Sequence, residues 1–299
     1  MSKPTRPLKL GLVQMAMGED PAQNTERALQ LTVDAAKQGA EVICLPELFR
    51  SRYFCQTEDT KFFELAEAIP NALTDRFASI AKEHDVTIIA SLFEKRTTGL
   101  YHNTTAVIDR GNGYIGKYRK MHIPDDPRYY EKYYFAPGDL GFKTFPSAHA
   151  ELGVLICWDQ WYPEAARMTA LKGAEILFYP TAIGWHPEEK AEVGKEQHAA
   201  WETIQRSHAI ANGCFVVAVN RFGFEPDPGG EGGIEFWGQS FVVGPDGRVI
   251  ARAPADKQAV LIVDIDLADM AATRHGWPFL RDRRVDAYAP LANRFLDGD

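Results

Sequence analysis

The stretch "EVICLPELF" (41–49) sets the tightest limit on what this chain can fold into. Its apolar residues run consecutively instead of alternating with polar ones, which is the pattern of a strand buried on both faces. "LGVLICWD" (152–159), "AEILFYPTA" (174–182) and "CFVVAVNRF" (214–222) are further apolar runs that read as strands. Such strands need cover, and the segments between them supply helices. "NTERALQLTVDAAKQG" (24–39) places Ala28, Leu29, Val33 and Ala36 on one face, with Asn24 expected as N-cap and Gly39 as the stop. "TDRFASIAKEHD" (74–85), a segment from about 163 to 173 and one from about 188 to 212 read as three more helices. Alternating strand and helix predicts an α/β fold, and the clustered late hairpins predict that its sheet is mixed. No Pro/Gly/Ser-rich linker divides the chain, so residues 1–299 are expected to form a single domain, with "EPDPGGEGG" (225–233) as a flexible surface loop.

Composition narrows the functional classes. The four cysteines (Cys44, Cys55, Cys157, Cys214) are scattered, which suits a reducing compartment better than a disulfide framework. No stretch has the length of a membrane span, and the N-terminus lacks the apolar core of a cleaved signal, so a cytoplasmic location is expected. Net charge is −8 and the one basic cluster is "RDRR" near the C-terminus, which argues against nucleic acid as a partner.

Several familiar motifs fail on context. "GNGYIG" (111–116) matches GxGxxG, but a strand rather than a helix follows, and "NG" favours a hairpin turn. "GQSFVVG" lacks the second glycine of a serine nucleophile elbow. No Walker loop, HExxH or CxxC occurs, and the eight histidines are dispersed, so neither a cofactor nor a metal is expected.

Three polar residues survive this filter. Glu47 ends an apolar strand, where a carboxylate is costly to bury unless paired. Lys120 sits in "YRKMHIP" at the end of another strand, and Cys157 closes "VLIC". Singly, each has an ordinary structural role as a loop cap, a solvated charge or a small core hydrophobe. Together they make a sufficient chemical set, since strand ends in α/β sheets line ligand clefts. A thiolate can attack a carbonyl carbon, a carboxylate can carry protons, and an ammonium can hold the oxyanion. Lys120 and a helix starting just after Cys157 are expected to favour the thiolate, and a dry pocket to raise the pKa of the Glu47 carboxyl.

In order, "LPELF", "YRKMHIP" and "CWDQWYPE" resemble the three signature segments of the nitrilase superfamily of carbon–nitrogen hydrolases, and the similarity runs from "KLGLVQM" to about "VDIDL". The resemblance implies an αββα four-layer sandwich of two mixed sheets flanked by helices. It also implies Glu47 as general base, Lys120 as oxyanion stabiliser, Cys157 as nucleophile, and protomers that pair into a homodimer or larger assembly. Glu131 in "RYYEKYYF" falls where many members carry a second glutamate; an exposed loop acid is the alternative. The tail from about 270 to 299 resembles a family segment that packs on a neighbouring subunit, though it could equally lie on its own subunit.

Within the superfamily, "CWDQWYPEAAR", "HIPDDPRYYEKYYFAPGD" and "SRYFCQ" most resemble the branch that hydrolyses carbamoylputrescine. That implies a small cationic ureido substrate. Members that hold a carboxylate usually carry arginine close after the nucleophile, whereas here none occurs before Arg167. Acids and aromatic rings suit a primary ammonium. Glu188 is the first candidate anchor, with a solvated helix-start acid as its alternative. Asp125 or Asp126 and the rings of Tyr53, Tyr130 and Trp158 are the others. Another amidase of the superfamily, such as an ω-amidase, is the nearest rival reading, and a catalytically silent binding module is the rival from a different class.

Overall fold

The consecutive apolar runs lie inside two stacked sheets. The computed structural model of the chain describes residues 5–297. In chain order the strands begin with β1 (Pro7–Gln14), β2 (Val42–Cys44), β3 (Thr87–Thr97), β4 (Leu100–Asp109) and β5 (Gly113–Arg119). Next come β6 (Thr144–Pro146), β7 (Glu151–Val154), β8 (Ile176–Thr181), the two-residue β9 (Gly184–Trp185) and β10 (Phe215–Asn220). The hairpin β11 (Phe222–Pro226) and β12 (Gly233–Trp237), the hairpin β13 (Phe241–Val243) and β14 (Val249–Arg252), and β15 (Ala259–Asp266) complete the set. One sheet has the order β15-β1-β2-β3-β4-β5 and the other β14-β13-β10-β8-β7-β6. Each combines a parallel centre with antiparallel flanks, as the late hairpins predict.

Pleat parity sorts the side chains. In β2, Val42 and Cys44 face the second sheet, while Ile43 turns towards the helices. A one-residue slip would exchange these faces, and each Leu or Ile taken from its core forfeits about 2 kcal/mol, so the register is held firmly. Helices α1 (Pro21–Lys37) and α2 (Ala72–His84) cover the outer face of the first sheet. After the single-turn α3 (Glu131–Tyr134), α4 (Pro163–Leu171) and α5 (Lys190–Asn212) cover the second. The result is the expected four-layer αββα sandwich, with the "GNG" segment as the turn of the β4–β5 hairpin.

Two local readings change. Asp20, not Asn24, caps α1, accepting the N–H of Ala22. Pro21 opens that helix, and Asn24 is buried with its amide bonded to Gly18 and Arg50. The glycine-rich loop is the turn of β11–β12, and Arg128 fastens it by bonds to the carbonyls of Glu231 and Gly233. These two strands and β9 form a third, small sheet that the sequence did not announce. The tail from about 270 is expected on either a neighbouring subunit or its own. α6 (Asp269–Gly276) packs on its own chain through Met270 and through Arg274, which bonds the carbonyls of Asn212 and Gly213. From Trp277 onward, Phe279, Val285, Leu291, Phe295 and Leu296 are exposed. The last two residues of that tail lie outside the described residues.

Candidate active site

Three chain segments leave their strands and converge in the seam between the sheets. The first runs on from β2 to Glu47, where Leu48 adopts φ 49°. A left-handed leucine costs about 1–2 kcal/mol, so the turn needs support. Arg221 provides it. This fully buried guanidinium donates to the carbonyls of Glu47 (2.6 Å), Leu48 and Ser51, and Glu225 balances its charge at 2.9 Å.

The second segment ends β5 at Lys120, whose N–H bonds the carbonyl of Asn103. Gly138 closes on the same point, its N–H donating to the Lys120 carbonyl at 2.7 Å. A Cβ there would lie 2.1 Å from the Arg119 carbonyl oxygen, so only glycine fits. The third segment follows β7 to Cys157, at φ 40°, which opens a 3-10 turn, Cys157–Trp161. The helix expected from about 163 begins at Pro163, so the 3-10 turn and not a helix N-terminus follows the cysteine directly.

The three side chains meet with Glu131. Lys120 Nζ donates to Glu47 Oε1 at 2.8 Å and to Glu131 Oε1 and Oε2 at 2.9 and 2.8 Å. Asn103 donates to Glu47 Oε1 at 2.7 Å, and the Tyr53 hydroxyl to Glu131 Oε1 at 2.7 Å. Glu47 Oε2, by contrast, is buried without a partner. The thiol of Cys157 lies 3.8 Å from the Ala182 carbonyl.

Burial acts on every charge here. It opposes the ammonium of Lys120, but the carboxylates of Glu131 and Glu47 outweigh it and hold the pKa well above the lysine range. Burial pushes the Glu131 carboxyl up, with Lys120 opposing and Glu47 adding to the rise. Burial also drives the Cys157 thiol well above its ordinary value, and the charge of Glu47 reinforces that over the pull of Lys120. Both effects favour the thiol form, whereas the lysine and a helix end were expected to favour the thiolate. A thiol held high calls for a base that removes its proton as it reacts, and Glu47, whose charge acts on Cys157, has one carboxylate oxygen without a partner.

Above the cluster opens a cavity of about 430 Å³ lined by Cys157, Glu131, Trp158, Trp161, Tyr129 and Trp237, with acids Asp126 and Glu189. Its size suits a small organic molecule. Of the expected residues, Glu47, Lys120, Glu131, Cys157 and Trp158 gather at this site. Tyr53 lies beneath it, acting on Glu131 rather than facing the cavity. Two candidates, Glu188 and Tyr130, lie one position from a residue that lines the cavity, and of the pair Asp125 or Asp126 the second lines it. Glu188 is exposed and paired with Arg128 at 2.7 Å, whereas its neighbour Glu189 lines the cavity. Asp125 points towards Lys132, and Asp126 lines the cavity. Tyr130 is replaced by Tyr129. Asn103 and Arg221 escaped notice, although a polar residue inside the strand "YHNTT" and an arginine ending "FVVAVNR" were available signals. Among the described residues, no three His, Cys, Asp or Glu are grouped to hold a metal, and no helix is long and apolar enough to cross a membrane.

Comparison with known proteins places the chain in a family. The family model described as carbon-nitrogen hydrolase matches residues 9–275. An N-carbamoylputrescine amidase of Solanum lycopersicum is 43% identical, the match covering 100% of this chain and 98% of that protein. A citrullinase of Francisella tularensis is 37% identical over 96% of this chain and 99% of its own. The crystal structure of a carbon-nitrogen hydrolase from Helicobacter pylori G27 superposes with a TM-score of 0.93 at 48% identity, covering 97% of this chain and 99% of that one. A matched family model across most of the sequence, relatives aligned end to end and a shared sandwich lead to one assignment: the chain belongs to the carbon–nitrogen hydrolase family of the nitrilase superfamily.

Proposed function

We propose that the protein hydrolyses N-carbamoylputrescine to putrescine, carbon dioxide and ammonia. The observation that carries this reading is the charge of the cavity: Asp126 and Glu189 line it, and no lysine or arginine does among the described residues. A ureido substrate that ends in a primary ammonium finds carboxylates and the faces of Tyr129, Trp158 and Trp237 there. One that ends in a carboxylate alone meets like charge. Relatives named N-carbamoylputrescine amidase over the full chain support the same choice.

In this mechanism Cys157 Sγ attacks the ureido carbon while Glu47 Oε2 takes the thiol proton. Lys120 Nζ and the backbone N–H of Trp158 hold the oxyanion. Glu131 and Tyr53 fix the ammonium of Lys120, which would otherwise lean wholly on the base. Glu47 then returns its proton to departing ammonia, leaving an S-carbamoyl enzyme. Water gives Glu47 a proton and attacks the same carbon, and the thiol leaves reprotonated. The released N-substituted carbamic acid loses carbon dioxide to give the amine.

Single-domain organisation over 1–299, a homo-oligomer joined in part by the tail after α6, and a cytoplasmic location complete the reading. The exposed apolar side chains from Trp277 to Leu296 support the contact between subunits. The test is ammonia release from carbamoylputrescine, citrulline and a neutral amide of equal length. Preference for carbamoylputrescine is expected. Equal or better rates on the neutral amide would favour the ω-amidase alternative instead.

A further inference from the structure

Asp159 is fully buried two residues beyond Cys157, and nothing in the mechanism uses it. Its carboxylate has no lysine or arginine partner, yet four donors surround it. Oδ2 accepts the N–H of Ile156 at 2.9 Å and the hydroxyl of Tyr118 at 2.8 Å. Oδ1 accepts the N–H of His122 at 3.0 Å and lies 2.7 Å from its ring Nδ1. The positions of these donors matter. Ile156 immediately precedes Cys157, while Tyr118 and His122 stand two residues before and after Lys120. Lys120 follows β5, the edge of the first sheet, and Cys157 follows β7 of the second. His122 is held from its other side too, its ring stacked on Tyr162 at 3.7 Å and 6°.

We propose that Asp159 is a positioning residue, a single carboxylate that ties the turn carrying Cys157 to the strand end carrying Lys120. Packing between the sheets is apolar and non-directional, so it cannot by itself hold a thiol and an ammonium at a fixed separation. Four charge-assisted hydrogen bonds can, because each has a preferred length and angle. They also support the left-handed Cys157, since the bond to the Ile156 N–H fixes the residue before it. Burying an acid in this place is tolerable because both of its oxygens are doubly satisfied.

Asp159→Asn is the informative change, since it keeps the shape and removes one acceptor. The backbone N–H groups of Ile156 and His122 meet opposite oxygens and cannot turn round, so the new amide NH2 faces a donor whichever way it lies. This inference rests on Cys157 as nucleophile and Lys120 as its partner, which loss of turnover in Cys157→Ala tests separately. The expected result for Asp159→Asn is a fall in kcat of about tenfold or more with KM within about twofold. The rate of Cys157 alkylation by iodoacetamide should fall in parallel, and this readout does not depend on the substrate. Thr87→Val, which removes the buried Thr87–Asp109 bond, serves as the stability control and should leave kcat unchanged at a similar loss of Tm. Tyr118→Phe removes one donor and should lower kcat by about two- to fivefold, which keeps the test open if the asparagine variant fails to fold. An unchanged alkylation rate, or a kcat loss no greater than in Thr87→Val, overturns the proposal.

Discussion

The acid at residue 189 gives the sharpest test of substrate choice. Glu189 is half-buried at the start of α5 and lines the cavity, and Gln197 donates to its Oε1 at 3.1 Å. Oε2 is then available to an ammonium. At a separation of about 4 Å, two unit charges attract by about 4 kcal/mol at an effective dielectric constant near 20 and by about 1 kcal/mol in bulk water. A half-buried carboxylate at an open cavity lies between these limits, at about 2 kcal/mol. Glutamine keeps an acceptor oxygen, and Asp126 keeps a charge, so Glu189→Gln should forfeit about 1.4 kcal/mol, or about tenfold in affinity. The assay is ammonia release from carbamoylputrescine and from butylurea, which has the same chain without the ammonium. KM for carbamoylputrescine should rise about tenfold while kcat stays within about twofold, and both constants for butylurea should stay unchanged. An unchanged KM for carbamoylputrescine, or an equal rise for both compounds, would refute Glu189 as the anchor.

Other perturbations separate the parts of the site. Glu47→Gln should lower kcat by a factor of about 10²–10⁴. Because Glu47 raises the Cys157 thiol, the pH profile of Cys157 alkylation in that variant should move to lower pH; a shift to higher pH would contradict the electrostatic account. Glu94 is buried, which opposes its charge, but bonds from Arg119, Lys117 and Thr104 win and hold its carboxyl at about 2, below the ordinary 4.5. A depressed carboxylate stabilises the fold above its unfolded value and loses that contribution as pH falls. Glu94 should therefore supply about 3 kcal/mol that disappears between about pH 4.5 and 2, and urea unfolding of Glu94→Gln should part from the native protein as pH rises through that window, the full difference standing above it. Gly138→Ala drives a methyl group into the Arg119 carbonyl beside Lys120, so it should cost about 2 kcal/mol in urea unfolding and lower kcat more than KM.

What the sequence disclosed follows from how each residue is placed. Glu47, Lys120 and Cys157 were legible because each interrupts or ends an apolar run, and the fold of a strand end leaves little choice of direction. The substrate side was read one residue out of phase twice, at Glu188 and Tyr130, and left open between Asp125 and Asp126. At a helix start one position turns a side chain by about 100°, and in a loop the direction is set by contacts made elsewhere. Glu188 shows this, because Arg128 claims it from across the β11–β12 turn. The direction of the shift at Cys157 was hidden for a related reason. A nearby cation is visible in sequence, whereas full burial and the opposing charge of Glu47 emerge only when the sheets stack. Strand β9, with two residues, was too short to carry any pattern.

The outermost pairing of the first sheet has a consequence for how the protein comes into being. β1 pairs along its whole length with β15, Pro7 opposite Asp266 and Gln14 opposite Ala259. On the ribosome the first strand therefore waits for nearly the last one, and β1 meanwhile presents a bare edge that other chains could join. Arg221, which holds the backbone of Glu47, also emerges late. Translation must pass β10 before the carboxylate at 47 is held in place, and β15 before the edge beside it is sealed. A nascent chain released between those two points would carry Glu47, Lys120 and Cys157 together with an open, aggregation-prone flank.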